Sequence, residues 1–496
     1  MQSARRGQLL RADPQESRKV RIMNSVDLAF TPALDQARLI RHKEISPIEL
    51  VQLYLDRIQQ LDPQLGSFWT IAAEQALDDA QAKTELLATS HPEELPPFFG
   101  VPTAIKDLTP VEGMPCSYGV KVLKNRQPPQ DAEVVKRMRA AGFILLGKTA
   151  TAALGSTPYT EAKGFAPTRN PWNLDYTPGG SSGGAAAAVA AGLCAIAQGS
   201  DGGGSIRGPA GCCGLVGIKP SRGRVSHAPT GDVISGLATH GPLARTVSDA
   251  AALLDVMSGK VLGDPYWLPD PAHSFLEATR KPLQDLRVGY ATFLPPVGAI
   301  DPVCEQSVMS TVQLLEDLGH QPELVSVDFN DLLEPISTVW QAGVDVGVPW
   351  FFLDKMNRYL LKRSRNRSGG QYLTAVTKMQ TLARKLVASL DHVDVLVLPI
   401  FMYPTIHVGE WRKLRPTKIF DEIAYWVTPC PPFNATGQPA IAIPAGFTPQ
   451  GLPIGVQLVG RPADEVTLIA LAAQIEAARP WIGDRPDFAT RPFSAN

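Results

Sequence analysis

Two serines lie in glycine-dense stretches of this 496-residue chain. Ser181 sits within Gly179-Gly180-Ser181-Ser182-Gly183-Gly184, and Ser205, 24 residues on, within Asp201-Gly202-Gly203-Gly204-Ser205-Ile206-Arg207. Glycine tolerates positive φ and lets other atoms approach the main chain closely, so such runs leave peptide N–H groups free to bind. The chemistry this favours is a hydroxyl beside N–H donors aimed at an oxyanion. Phosphate binding is the competing use of such glycines. No G-x-G-x-x-G follows a strand with an acidic residue at the right distance, and neither a nucleotide cofactor nor the nucleophile elbow of α/β-hydrolases is expected.

Around these serines the run is long. Ala185 to Ala188, Ala190, Ala191 and Gly192 follow the first turn, then Gly199-Ser200-Asp201, Ser205-Ile206-Arg207-Gly208-Pro209-Ala210 and Gly217-Ile218-Lys219-Pro220-Ser221-Arg222-Gly223-Arg224-Val225-Ser226. Together they resemble the signature of the amidase signature family. The likeness extends from about Val26 through Gly100-Val101-Pro102-Thr103-Ala104-Ile105-Lys106-Asp107, Phe433-Asn434-Ala435-Thr436-Gly437-Gln438-Pro439-Ala440 and Gly455-Val456-Gln457-Leu458-Val459-Gly460-Arg461-Pro462. It implies amide hydrolysis by a Ser, cis-Ser, Lys triad, with Ser205 as nucleophile, Ser181 after a cis peptide as proton relay and Lys106 as base. It also implies an oxyanion hole from the peptide N–H groups of Gly202, Gly203 and Gly204 with Ser205 itself. Ser182 would support Lys106, and Arg207 with Asp201 would brace the loop as a structural ion pair.

The resemblance requires no histidine, metal or cofactor, but it places a demand on Lys106. A serine hydroxyl attacks well only when a base takes its proton, and a lysine can do so only if its neutral form is populated near pH 7. Burial must supply that population by penalising the charged form. The apolar Val101, Ala104 and Ile105 before Lys106 fit such a setting. The eight histidines, with no pair at i, i+4, suggest neither a His-based metal site nor a Ser-His-Asp triad.

Composition sets the class. With 44% hydrophobic and 19% charged residues the chain can bury a sizeable core, and 47 basic against 48 acidic residues leave a net charge of −1, so no global field points to nucleic acid or anionic lipid. A small molecule is the expected partner. Six cysteines without C-x-x-C spacing read as reduced, buried thiols, with the cytoplasm as the default compartment. Residues 1–22 carry Arg5, Arg6, Arg11, Arg18, Lys19 and Arg21 without an apolar stretch, and read as a disordered leader or an added extension.

Positioning the serines requires an alternation of strands and helices. Ser46-Pro47-Ile48-Glu49 is a capping box, followed by Leu50, Leu53, Tyr54, Ile58 and Leu61 at helical spacing. Further helices are expected at Glu74 to Leu87, Asp131 to Arg139, after Gly184, at Val247 to Met257 and at Val303 to Leu318, with strands at Phe143 to Leu146 and Leu286 to Tyr290. This predicts an α/β fold with helices on both faces of a sheet. The resemblance refines it to one large mixed sheet in a single domain over 23–496, and allows a homodimer.

Residues 301–428 match little of the family pattern and form the expected variable substrate-pocket region. Trp340, Trp350, Phe351, Phe352, Tyr359, Trp411 and Trp426 are its candidate pocket rings, and the basic run Lys355 to Arg367 reads as a solvated face. Where many relatives read G-K-T-N-x-x-E-F, this chain has Gly147-Lys148-Thr149-Ala150-Thr151-Ala152-Ala153-Leu154, losing an amide and a carboxylate. A bulky, neutral or aryl-bearing amide is therefore the expected substrate, with carbamate or ester cleavage open to the same machinery. Two alternatives stand beside it: the glutamine-hydrolysing subunit of a tRNA amidotransferase, and a non-catalytic binding protein of the same fold.

Overall fold

The helix Pro47–Leu65 shows how local signals set the elements. Its capping box closes in both directions, Ser46 N–H donating to Glu49 Oε2 at 2.8 Å and Glu49 N–H to Ser46 Oγ at 3.3 Å, and Gly66 ends it at φ 63°. Leu50, Tyr54, Ile58 and Leu65 face the core. This computed structural model describes residues 24–490, so the leader expected at 1–22 lies outside the described residues.

Eleven strands form one sheet: β1 (Phe68–Ile71), β2 (Pro102–Lys106), β3 (Ile144–Thr149), β4 (Ile196–Asp201), β5 (Val216–Lys219), β6 (Thr239–Ala244), β7 (Arg287–Tyr290), β8 (Gln321–Leu324), β9 (Val395–Pro399), β10 (Ala440–Phe447) and β11 (Pro453–Gly460). Their spatial order is β1-β3-β2-β4-β6-β5-β10-β11-β9-β7-β8. The strands β3, β2 and β4 run parallel, as do β9, β7 and β8, while the middle is antiparallel from β4 to β9. The expected mixed α/β sheet flanked by helices is what the chain builds. The strands β6 and β11 are buried along their whole length and β4 at all but Ser200, as strands covered on both sides are.

The expected helices are present at Ala73–Thr89, Glu133–Ala140, Gly183–Ala190, Val247–Met257 and Pro302–Asp317. Gly183–Ala190 is buried on every side, so small residues are needed throughout. A Cβ on Gly184 would lie 2.4 Å from the Ala150 nitrogen, and this close approach is what seats the serine turn over the sheet. Beyond β8, the helices Leu333–Ala342, Lys355–Arg365, Gly369–Ser389 and Pro416–Val427 form a separate helical layer.

Two features of the sheet position the chemistry. Strands β2 and β4 are parallel neighbours, with Ile105 opposite Gln198, so Lys106 and Asp201 end at the same edge. Beyond Asp201 the chain turns through Gly202–Gly204 and enters the helix Arg207–Cys213, which places Ser205 just past that edge.

Candidate active site

Lys106 closes β2 with no solvent exposure. Its Nζ lies 2.7 Å from Ser181 Oγ, 3.0 Å from Ser200 Oγ and 3.2 Å from the Ser200 carbonyl. Burial lowers its pKa to about 7, with the nearby Asp201 carboxylate opposing that shift. A neutral amine has two N–H groups and one lone pair. The Ser200 carbonyl can only accept, so it uses one N–H; Ser200 Oγ takes the other, and the lone pair is left for the Ser181 hydroxyl. In that arrangement a neutral Lys106 can accept the Ser181 proton.

Ser181 follows the cis Gly180–Ser181 peptide, and its Oγ lies close to Gly155, where a Cβ would come within 3.5 Å. Ser205 is 7% exposed and borders the same cavity as Gly180, Gly203 and Gly204. The two serine turns are tied together by Ser182 N–H donating to the Ser205 carbonyl at 3.2 Å.

Two assignments drawn from the resemblance change. The Gly204 N–H donates to Asp201 Oδ1 at 2.7 Å, so it is spent on the loop and withheld from an oxyanion. The N–H groups of Gly202, Gly203 and Ser205 have no acceptor among the described residues and remain for that role. Ser182 does not touch Lys106: its Oγ donates to the Ser200 carbonyl at 3.1 Å and accepts from Ser200 N–H at 3.3 Å. Ser182 therefore acts on Lys106 through Ser200, which sequence reading had quoted but given no role. Its hydroxyl and carbonyl become meaningful only when β4 is laid beside β2.

Asp201 and Arg207 form a buried ion pair, Nη2 to Oδ1 at 3.0 Å and Nε to Oδ2 at 3.1 Å. Burial raises the Asp201 pKa, but the Arg207 charge and its hydrogen bonds outweigh this and hold the carboxyl well below the carboxylate range. Arg207 also reaches Asn434 Oδ1, Gln457 Oε1 and the Cys430 carbonyl, so its donors tie the loop to the short helix Pro432–Ala435, the chain just before it and β11. Asp201 accepts from the N–H groups of Gly204, Ile206 and Arg207, which fixes the turn that carries Ser205. Their positioning role agrees with the ion-pair expectation.

A second buried lysine shows what burial alone does not give. Lys219 is lowered to about 7 by burial and then by Arg207, yet the only hydrogen bond of its Nζ among the described residues goes to the Pro220 carbonyl at 2.9 Å. It meets no hydroxyl and has nothing to deprotonate.

Three spacings escaped the reading of the sequence. Gly142-Phe143-Ile144-Leu145-Leu146-Gly147-Lys148-Thr149 does match the G-x-x-x-x-G-K-[ST] phosphate loop. The structure makes it the buried strand β3 instead, with Lys148 Nζ paired to Asp107 Oδ1 at 3.0 Å. G-x-S-x-G also occurs twice, centred on Ser181 and Ser182. A helix follows it, but no strand leads into it, so it is not a strand-to-helix elbow. Two of the histidines do meet: the His227 and His240 rings lie 4.6 Å apart, tilted, and burial pushes both below the usual imidazole range. Gln198 donates to His240 Nδ1 at 2.9 Å and accepts the Lys106 peptide N–H at 3.1 Å, so His240 braces the strand end rather than the chemistry.

A cavity opens over Ser205, bordered by Gly180, Gly203, Gly204 and a wall of apolar side chains. Among the described residues, no ionisable side chain lines it. Its far wall comes from helical stripes in the region expected to vary: Leu333, Ile336, Ser337 and Trp340 from one helix, Met356 and Leu360 from the next, and Phe420, Ile423, Ala424 and Val427 from Pro416–Val427. Of the candidate rings, only Trp340 reaches the cavity. Trp350, Phe351 and Phe352 are exposed, Trp411 and Trp426 pack edge-on to each other, and Tyr359 packs against Phe420. Phe401 and Phe420 supply the rings that were missed. The basic run is tethered rather than free: Arg363 donates to Gln341 at 3.1 Å, Arg365 pairs with Asp345 at 2.8 Å and Lys355 donates to the Leu414 carbonyl at 2.9 Å.

Comparison with known proteins agrees with this geometry. A family model described as Amidase matches residues 49–469. A protein named as a putative amidase in Synechocystis sp. (strain ATCC 27184 / PCC 6803 / Kazusa) is 51% identical over 452 residues, covering 91% of this chain and 89% of that one. The solved structure of a 6-aminohexanoate cyclic dimer hydrolase in complex with substrate superposes with a TM-score of 0.86 at 33% identity, covering 93% and 99%. That of a bacterial aryl acylamidase superposes at 0.84 with 26% identity, covering 94% and 100%. The signature serines and buried lysine thus sit in a chain that belongs to the amidase signature family, hydrolases of carbon–nitrogen bonds other than peptide bonds.

Proposed function

We propose that the protein hydrolyses the amide bond of a small, neutral, apolar or aryl-bearing substrate through an acyl-enzyme on Ser205. Neutral Lys106 takes the Ser181 proton as Ser181 takes that of Ser205, whose Oγ attacks the amide carbonyl carbon. The N–H groups of Gly202, Gly203 and Ser205 receive the negative charge developing on the carbonyl oxygen. The relay then returns a proton to the departing amine, and water, deprotonated along the same path, releases the acid. A carbamate or aryl ester would pass through the same steps.

The observation that carries this reading is the pairing of a buried lysine, lowered to about 7 and 2.7 Å from Ser181 Oγ, with an uncharged cavity over Ser205. A cavity without ionisable side chains leaves the ammonium and carboxylate of free glutamine unpaired, which disfavours the amidotransferase subunit. The six cysteines, all buried and free, support the cytoplasm as its compartment. Among the described residues no helix is long and apolar enough to cross a membrane.

The test is a panel of anilides, primary amides, carbamates and esters assayed by mass spectrometry with the purified chain alone. Neutral anilides or amides should be cleaved, with an acyl adduct on Ser205 trapped at early times. Turnover of glutamine alone, or no Ser205 adduct with any substrate that is cleaved, would overturn the reading.

A further inference from the structure

Beside the apolar cavity lies a second one, which adds ionisable side chains, Tyr159, Glu161, Lys163, Asp354, Lys355 and Arg412 among them, to an otherwise largely apolar lining. Thr157 and Met356 are the two residues common to both linings. One faces the Ser205 side on the chain that follows Gly155, and the other stands in the first turn of the helix Lys355–Arg365. Asp354 caps that helix by accepting the Asn357 N–H at 2.8 Å, and Asn357 Nδ2 donates to the Ala153 carbonyl at 3.2 Å. The helix start that carries Met356 is therefore held against the chain just before Thr157.

We infer that Met356 and Thr157 form the stop that sets how long an acyl group the enzyme accepts, and that the second cavity behind them is the room into which a longer chain would run. The inference rests on the acyl-enzyme reading above and adds the element of substrate choice. Methionine suits such a stop because it is unbranched and fills irregular space, yet it is buried here and so obstructs passage. Replacing it with alanine deletes Cγ, Sδ and Cε from the partition. An acyl chain too long for the first cavity would then extend between Thr157 and residue 356, with its end among Tyr159, Glu161 and Asp354.

The experiment measures kcat/KM for the p-nitroanilides of butyrate, octanoate and dodecanoate. Wild type, Met356→Ala, Thr157→Ala and Met356→Leu are compared by the ratio of the longest to the shortest substrate within each protein. That ratio should rise about tenfold or more in Met356→Ala, mainly through a lower KM for the long chain, and should rise in Thr157→Ala, which opens the same partition from the other side. Met356→Leu conserves volume and should keep the wild-type ratio. An unchanged ratio in both alanine variants, with Ser205-dependent turnover intact, overturns the length stop and leaves the acyl-enzyme reading standing. If Met356→Ala does not fold, Thr157→Ala alone decides it. Wild type that cleaves none of the three, and shows no Ser205 adduct, overturns both.

Discussion

The floor of the cavity and its helical wall are built on opposite principles. The floor is a set of strand ends and glycine turns in which nearly every polar atom has a named partner: Lys106 on Ser181 and Ser200, Asp201 on Arg207 and Asn434. The wall is apolar side chains from three helices, with Trp340 Nε1 reaching the Ser156 carbonyl only at 3.4 Å. Hydrogen bonds set atoms to within a fraction of an ångström, whereas apolar packing fixes volume and tolerates exchange of shape. The floor should therefore decide whether bonds break, and the wall which substrate is held. Substitutions in the first should fail outright; those in the second should shift preference.

The largest effects belong to the floor. Ser205→Ala should lower kcat by on the order of 10⁴-fold or more while circular dichroism stays native, and Lys106→Ala should cost a similar factor because the relay acts as one unit. In the wild type, kcat/KM should fall as pH drops through about 7, where Lys106 takes up a proton and stops being a base. A profile flat from pH 5 to about 9 would remove Lys106 from the base role.

The same shift bears on stability. The folded pKa of Lys106, about 7, lies below its ordinary 10.5, so between those values the unfolded chain binds a proton that the folded chain does not. Stability then rises with pH across that window, by up to about 5 kcal/mol from this one group. Urea titrations of wild type and Lys106→Met at several pH values isolate it, and the gain should be missing from the variant. Next comes Asp201→Asn, which leaves the Arg207 guanidinium buried without a counter-charge. It should cost about 3–5 kcal/mol in the same titration.

Smaller effects belong to the wall. Trp340→Ala should raise KM for an anilide about tenfold with a lesser change in kcat, read in steady-state assays. Its cause is lost contact above Gly202, where the indole lies within about 3 Å of a Cβ position. Smallest is Trp350→Ser, outside the cavity and more than half exposed, which should leave both constants and the denaturation midpoint near wild type. A large kcat loss in Trp340→Ala would blur the division between floor and wall.

Legibility divides along the same line. The serine turns could be found because their information is local: glycine and serine at fixed spacing have few other uses, and a lysine ending an apolar strand is unusual. The resemblance then extended that reading from Lys106 to Gln457. What it could not supply was which N–H is spent inside the loop. Gly204 is equivalent to Gly203 in sequence, and only the direction of the Asp201 carboxylate separates them. The phosphate-loop spacing at Gly142–Thr149 makes the same point in reverse, since the residues match while the backbone is an extended strand.

The wall was nearly silent. Leu333, Ile336 and Trp340 recur at i, i+3 and i+7, as do Phe420, Ile423 and Val427, and that stripe is identical whether it faces a core or a cavity. The aromatic cluster Trp350, Phe351 and Phe352 drew attention by composition and proved to be surface. Residue type and spacing alone determined the strand–helix alternation and the caps, because each depends on neighbours in the chain, while the expected chemistry came from the family resemblance. Tertiary structure alone decided which N–H groups of the glycine turn stay unpaired, the place of Ser200 beside Lys106 and the emptiness over Ser205. Each of these depends on where residues far apart in sequence come to rest, and a cavity consists of atoms that are not there.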